Sequence, residues 1–159
     1  MSVKLNQIVI GDNNPFVLIA GPCVVENEKM IFETAIAIKQ IAADLDIPFI
    51  FKSSFKKANR TNLKSFTGLG DKESIAILKK VREQLNLSIV TDIHTESDVE
   101  MVADAVDILQ IPAFLSRQTD LLISAGKSGK VVNIKKGQFL APEDMKHAVD
   151  KVASTGNNN

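Results

Sequence analysis

The sequence predicts an α/β fold: part of a (β/α)8 barrel, with an N-terminal β-hairpin and about five of the eight strand–helix units. Three observations carry this. Short, continuous apolar runs alternate with amphipathic segments of helical period, the pattern of parallel strands buried on both faces and joined by crossover helices. Each run ends in polar or reactive side chains: Gly21-Pro22-Cys23 after the first, Lys52 after the second, Asp92 and His94 after the third, Gln110 at the fourth, Lys135 and Lys136 after the fifth. A barrel draws ligands from many strand ends, whereas a doubly wound sheet gathers them at one switch point, so the even distribution favours a barrel.

The elements follow in order. Val3 to Ile10 and Pro15 to Ala20 read as strands around a hairpin turn at Gly11-Asp12-Asn13-Asn14. Asn27 is placed to cap a helix running to about Leu45, with Ile31, Ala35, Ile38, Ile41 or Ala42, and Leu45 on one face. Pro48 to Phe51 is a strand, and a helix starts at Asp71 with Ile75, Leu78, Val81 and Leu85 inward. Strand Ser88 to Thr91 and helix Glu96 to Ala105 come next, then strand Asp107 to Ile111 and helix Arg117 to Lys127. Strand Val131 to Ile134 and a helix from Pro142 to Ala153 complete the alternation, with proline in the helix's first turn. Ser154 to Asn159 reads as a loop, and residues 1–159 as a single partial domain whose C-terminal units are absent.

Bulk properties narrow the class. Nineteen basic residues balance nineteen acidic ones, so no global field points to nucleic acid or a membrane surface. The single cysteine excludes an internal disulfide and fits a reducing compartment. The start has no signal-peptide pattern and no apolar run is long enough to span a bilayer, so the expected location is cytoplasmic. Neither a Walker pattern nor G-x-G-x-x-G is present.

The densest chemistry lies in Phe51-Lys52-Ser53-Ser54-Phe55-Lys56-Lys57-Ala58-Asn59-Arg60-Thr61-Asn62. A buried strand delivers three lysines, an arginine, an asparagine and hydroxyls to one strand end. Lysine supplies mobile point charge, arginine a planar fork of donors, and Ser, Thr and Asn orient hydroxyls, a set suited to a small phosphate- or carboxylate-bearing substrate. A lysine-rich loop alone is commonly a solvated face; the polar ends of the other strands set this one apart.

Several segments resemble a known family. Ile19-Ala20-Gly21-Pro22-Cys23-Val24-Val25-Glu26 is similar to the opening of two synthase families that condense phosphoenolpyruvate with a phosphorylated sugar. Lys57-Ala58-Asn59-Arg60, Thr91-Asp92-Ile93-His94, the run Leu109 to Leu121 and the run Asn133 to Pro142 resemble the 3-deoxy-D-manno-octulosonate 8-phosphate (KDO 8-phosphate) synthase family over its N-terminal portion. The sibling heptulosonate synthases carry a Lys-Pro-Arg-Thr-type segment in place of the second-strand motif. The resemblance implies condensation of phosphoenolpyruvate with D-arabinose 5-phosphate and water for lipopolysaccharide synthesis.

It also implies roles. Lys57, Asp92 and His94 match catalytic positions. Lys52, Gln110 and Lys135 match the phosphoenolpyruvate side, and Ser54, Asn59 and Arg60 the arabinose 5-phosphate side. Arg117 matches a residue that reaches a neighbouring subunit's sugar phosphate in a homotetramer. Cys23, in the Gly-Pro-Cys context, implies the branch that uses a divalent metal ion of the zinc, iron or manganese class. The alternatives are the sibling heptulosonate synthase and an inactive anion-binding partial barrel. Lys56 stands where the family has aspartate, and is expected to raise anion affinity or disturb the local pKa pattern. Thr67, Leu69, Thr95 and Glu143 also depart from the family pattern. Since the chain supplies about five units, it is expected to be a piece of a longer synthase and inactive by itself.

Overall fold

The computed structural model describes residues 2–159. Strands β1 (Ser2–Leu5) and β2 (Ile8–Gly11) form an antiparallel hairpin. Strands β3 (Leu18–Ala20), β4 (Phe49–Lys52), β5 (Ser88–Asp92), β6 (Ile108–Ile111) and β7 (Val131–Ile134) form one parallel sheet in chain order. Helices α1 (Glu28–Asp44), α2 (Asp71–Leu85), α3 (Glu96–Val102) and α4 (Thr119–Lys127) connect these strands, and α5 (Met145–Ala153) follows β7. This is a curled half-barrel sheet with its helices, consistent with a partial (β/α) barrel.

The expected N-terminal hairpin is present, and the position of its turn is corrected. Its turn lies at Asn6-Gln7, where Asn6 takes a left-handed φ of 51° that asparagine tolerates. The Gly11–Asn14 turn instead links β2 to β3, which joins the parallel sheet beside β4. Gly11–Asn14 is the denser turn signal, but a two-residue turn at Asn6-Gln7 brings Leu5 and Ile8 together over the inner face of the sheet, and that burial decides the pairing.

Other boundaries follow local chemistry. Asn27 Oδ1 accepts from the Met30 N–H at 2.8 Å and starts α1. Ile31 and Ala35 of that helix are buried, and of the alternatives Ile41 or Ala42 it is Ala42 that turns inward; Leu45 is exposed. Thr95 and Asp98 form a capping box that starts α3, which ends at Val102, earlier than expected. Short 3-10 turns at Ala113–Leu115 and Pro142–Asp144 delay α4 and leave α5 to begin at Met145. The terminal residues are tied down: Asn157 Nδ2 donates to the carbonyls of Gly126 and Lys130, and Asn159 O accepts from the Val132 N–H at 3.1 Å.

Period-two alternation sorts each strand between two environments. Phe49, Phe51, Ile89, Leu109 and Ile111 face the helices in the main core. Ile50, Val90 and Ile108 point the other way, with partly buried Val131, and pack against Leu5, Ile8 and Ile10 of the hairpin. The hairpin therefore plugs the lower inner face of the sheet. Among the described residues no helix is long and apolar enough to cross a membrane.

Candidate active site

The strand alternation dictates the site. Two residues beyond Ile50, Val90, Ile108 and Val131 stand Lys52, Asp92, Gln110 and Asn133, on the same inner face but one tier higher. The register pairs Asp92 with Gln110 and Gln110 with Asn133, so the upper tier is continuous across β5, β6 and β7. Gly21, next after β3, has no room for a side chain: a Cβ there would lie 2.0 Å from the Lys52 carbonyl oxygen. That close approach brings Cys23 to the mouth beside β4.

Hydrogen bonds join this tier into one network. Lys52 Nζ and Lys57 Nζ each donate to Ser54 Oγ at 2.9 Å, and Ser54 Oγ donates to Asp92 Oδ2 at 2.8 Å. Asp92 Oδ1 lies 3.2 Å from Lys52 Nζ and accepts from Gln110 Nε2 at 3.2 Å. Asn133 Nδ2 donates to Gln110 Oε1 at 3.0 Å. Ser54 is fully buried and its hydroxyl has used its donor and both acceptor sites. It works by aiming two ammonium groups, while Lys57 keeps two of its three donors for a ligand.

A cavity of about 310 Å³ opens above this network. Cys23, Lys52, Lys57, Asn59, Asp92, His94, Gln110 and Lys135 all line it. Asn133, missed in the sequence, supports it from below; the legible signal was its even spacing from Val131. Gln138 and Phe114 also reach the cavity and were not singled out. Arg60 is exposed and does not line it. Arg117 lies outside it, at two neighbouring surface clefts with Ser116 and Leu140.

A larger cavity of about 520 Å³ sits at the opposite, amino end beneath the hairpin. Its cation is already committed: Arg82 pairs with Asp107 at 3.0 Å and donates to the Asp104 carbonyl. The carboxyl-end cavity has three lysines against one carboxylate, so it carries the unsatisfied positive charge.

Lys56 does not line this cavity. Its Nζ donates to Asp98 Oδ1 at 2.7 Å and Asp71 Oδ2 at 3.2 Å and stands 4.9 Å over the Phe55 ring. Burial works to lower its pKa, but the hydrogen bonds and charges of Asp98 and Asp71 outweigh it and hold the pKa above the usual lysine value. Burial likewise works to raise the Asp98 pKa, and Lys56 with the backbone N–H groups of His94 and Thr95 pulls it below the ordinary carboxylate range. His94 is shifted down, chiefly by burial; Asp92 and Asp98 pull upward, Lys56 and Lys57 downward.

Among the described residues no group of three or more His, Cys, Asp or Glu side chains converges to hold an ion. Asp92 has both oxygens engaged. Cys23 offers one sulfur donor at the cavity, so the described residues do not by themselves complete a metal centre.

With two lysines on one strand end and an imidazole and a carboxylate on the next, the fold and the cavity define the class: a partial (β/α) barrel with an excess of cations at the carboxyl ends of its strands. The chain belongs to the DAHP synthetase I family, whose pattern matches residues 1–159. Similar curated relatives are named 2-dehydro-3-deoxyphosphooctonate aldolase. That of Paraburkholderia xenovorans (strain LB400) is 56% identical over 149 residues, covering 94% of this chain and 52% of the relative. That of Syntrophotalea carbinolica is 55% identical over 156 residues, 98% of this chain and 56% of the relative. That of Geotalea uraniireducens is 52% identical over 157 residues, 99% of this chain and 58% of the relative. The chain spans about half the length of these relatives.

Proposed function

We propose that this chain provides the first half of a synthase that condenses phosphoenolpyruvate with D-arabinose 5-phosphate and water, giving 3-deoxy-D-manno-octulosonate 8-phosphate and phosphate. The observation that carries the reading is the convergence of Lys52, Lys57 and Lys135 on one cavity beside a single carboxylate and a neutral-leaning imidazole. Two polyanionic substrates repel each other, and only a site with excess fixed positive charge holds them together. The names of the relatives, at better than half identity over almost the whole chain, support the same reaction.

In this reading the methylene carbon of phosphoenolpyruvate attacks the sugar aldehyde, water adds to the enol carbon, and phosphate leaves by C–O cleavage. Lys52, Lys135 and Gln110 hold the phosphoenolpyruvate carboxylate and phosphate. Lys57, between the substrates, stabilises the developing alkoxide. Asp92 and His94 hold or move protons at the reacting oxygens. Ser54 orients the lysines, and Asn59 and Arg60 face the sugar phosphate at the rim. Arg117 serves a neighbouring subunit's sugar phosphate in a homotetramer, in a cytoplasmic setting without nucleic acid or membrane.

Cys23 is this chain's proposed contribution to a divalent metal site of the zinc, iron or manganese class, for which a thiolate is a suitable soft donor. Retention of full activity after exhaustive chelation, with no metal by elemental analysis, would remove that part. The family description favours a second reading, the sibling heptulosonate synthase acting on erythrose 4-phosphate. Phosphate release by the intact protein, measured with each sugar phosphate in turn, decides. Turnover with arabinose 5-phosphate supports the main reading, preference for erythrose 4-phosphate supports the sibling, and turnover with neither overturns both.

A further inference from the structure

His94 Nδ1 is buried and has no hydrogen-bond partner, one of three such side-chain atoms among the described residues. The oxygen facing it is Oδ2 of Asp98, 3.6 Å away, on a carboxylate whose side chain is 1% exposed. The same Oδ2 accepts from the backbone N–H of His94 at 2.8 Å and of Thr95 at 3.1 Å. Imidazole and carboxylate are thus fixed to one short segment. The other carboxylate oxygen is held by Lys56 at 2.7 Å, and Asp71 holds that lysine from α2. His94 lines the cavity, and its Nε2 lies 3.9 Å from Oδ2 of Asp92, which accepts from Ser54 on a carboxylate paired with Lys52; the Asp98 oxygen is the nearer of the two to the ring.

A neutral imidazole carries its proton on one nitrogen only. A lone pair at Nδ1 would meet a buried carboxylate oxygen and be repelled; an N–H there is attracted. At 3.6 Å the hydrogen bond is not closed, but the field decides the tautomer before the bond forms.

We propose that Asp98, clamped by Lys56, is a positioning residue that holds His94 with its proton on Nδ1 and so presents an unprotonated Nε2 to the cavity. Such a nitrogen accepts a proton from a hydroxyl or water bound beside Asp92. What it accepts from rests on the synthase reading; the tautomer does not. The placement also explains Lys56: its charge lies behind the site, where it stabilises Asp98 as an anion, and not in the substrate cavity.

The test is nitrogen NMR of the intact, substrate-free protein labelled with 15N in its histidines, the His94 signals being those missing from His94→Asn. At neutral pH Nδ1 should be protonated and Nε2 bare. Asp98→Asn keeps an oxygen for the two backbone N–H groups but removes the charge. It should give a mixed or Nε2–H tautomer, with kcat lowered on the order of 10²-fold and KM little changed. An Nε2–H tautomer in the parent protein, or an unchanged tautomer in Asp98→Asn, overturns the proposal. If Asp98→Asn fails to fold, Lys56→Met decides, because it leaves the helix cap intact. Freed of its lysine, Asp98 should draw a second proton onto His94 at neutral pH, and an unchanged ring signal overturns the proposal. A correct tautomer without synthase turnover would strike the proposed reaction and leave the role of Asp98 standing.

Discussion

The inner face of the sheet carries two tiers of side chains, two residues apart on the same strands. In the lower tier Ile50, Val90 and Ile108 meet Leu5 of the hairpin, all of them buried. In the upper tier Lys52, Asp92, Gln110 and Asn133 form a hydrogen-bonded row with a cavity above it. The backbone is the same in both, so the difference lies in what covers each tier. An apolar plug makes the lower tier a core, while an open mouth lets the upper tier keep its charges. Polar groups survive there because each is paired within the row, and a cation that lost its partner would be costly to bury.

The most damaging way to break the contrast is Lys52→Met. It removes a cavity-lining cation and leaves Asp92, 11% exposed, without its lysine partner. Turnover should fall on the order of 10³-fold. Stability should fall by about 3 kcal/mol, the usual scale for breaking a buried pair. Phosphate-release kinetics and urea unfolding on the same preparation check both. Turnover close to the parent would mean that the upper tier is not the site.

Ile108→Ala probes the lower tier. Ile108 is 1% exposed, so the cavity left behind should cost about 2–4 kcal/mol. Turnover per folded molecule should stay within about twofold, since no upper-tier group loses a partner. A loss of kcat as large as that of Lys52→Met would show that the tiers are not separable.

Between these tiers and the helices sits the His94–Asp98–Lys56 cluster, whose shifts predict a pH profile. The His94 pKa is lowered on folding, so the unfolded chain takes up the proton first and stability falls as pH drops below about 6.5. The Asp98 pKa is also lowered. Its contribution is present above the unfolded carboxylate value and is lost as pH falls through the lower folded value. The Lys56 pKa is raised. Its contribution is present below the unfolded value of 10.5 and is lost as pH rises through the folded one. Urea midpoints should therefore form a plateau on the alkaline side of neutrality and decline on the acid side. His94→Asn should flatten the first part of the acid decline; an unchanged slope would place that proton uptake on another group.

Much of this arrangement is legible in the sequence. Continuous apolar runs, the Asn27 cap and the polar residue at each strand end give the strand order and the carboxyl-end location. What the sequence withholds is facing and register. Lys56 and Lys57 are neighbours in one basic loop, yet one turns back onto Asp98 and Asp71 and the other enters the cavity. Asn133 reads as a break in an apolar strand until its pairing with Gln110 puts it on the inner face. The first helix shows a milder case: of the alternatives Ile41 or Ala42 the structure buries Ala42, and Leu45, at the helix C-cap, is exposed. The hairpin turn moved for another reason: pairing Leu5 with Ile8 over the lower tier outweighs the denser turn signal at Gly11–Asn14.

The smallest expected effect sharpens the division within the upper tier between the lysine row and the rim. Asn59 lines the cavity yet is exposed, so its side chain is solvated when the site is empty. Removing it leaves no buried group unpaired, and Asn59→Ala should leave stability unchanged within error. If Asn59 meets a sugar hydroxyl or the sugar phosphate edge, the cost falls on one substrate only. Arabinose 5-phosphate should bind about 0.5–1.5 kcal/mol more weakly, the range for a single hydrogen bond to an uncharged side chain. If phosphoenolpyruvate is held as proposed, by Lys52 and Gln110 in the row with Lys135 at the mouth, it should bind as before. Calorimetric titration of each substrate into the intact variant separates the two. Equal weakening of both would place Asn59 between the substrates and merge the rim with the lysine row.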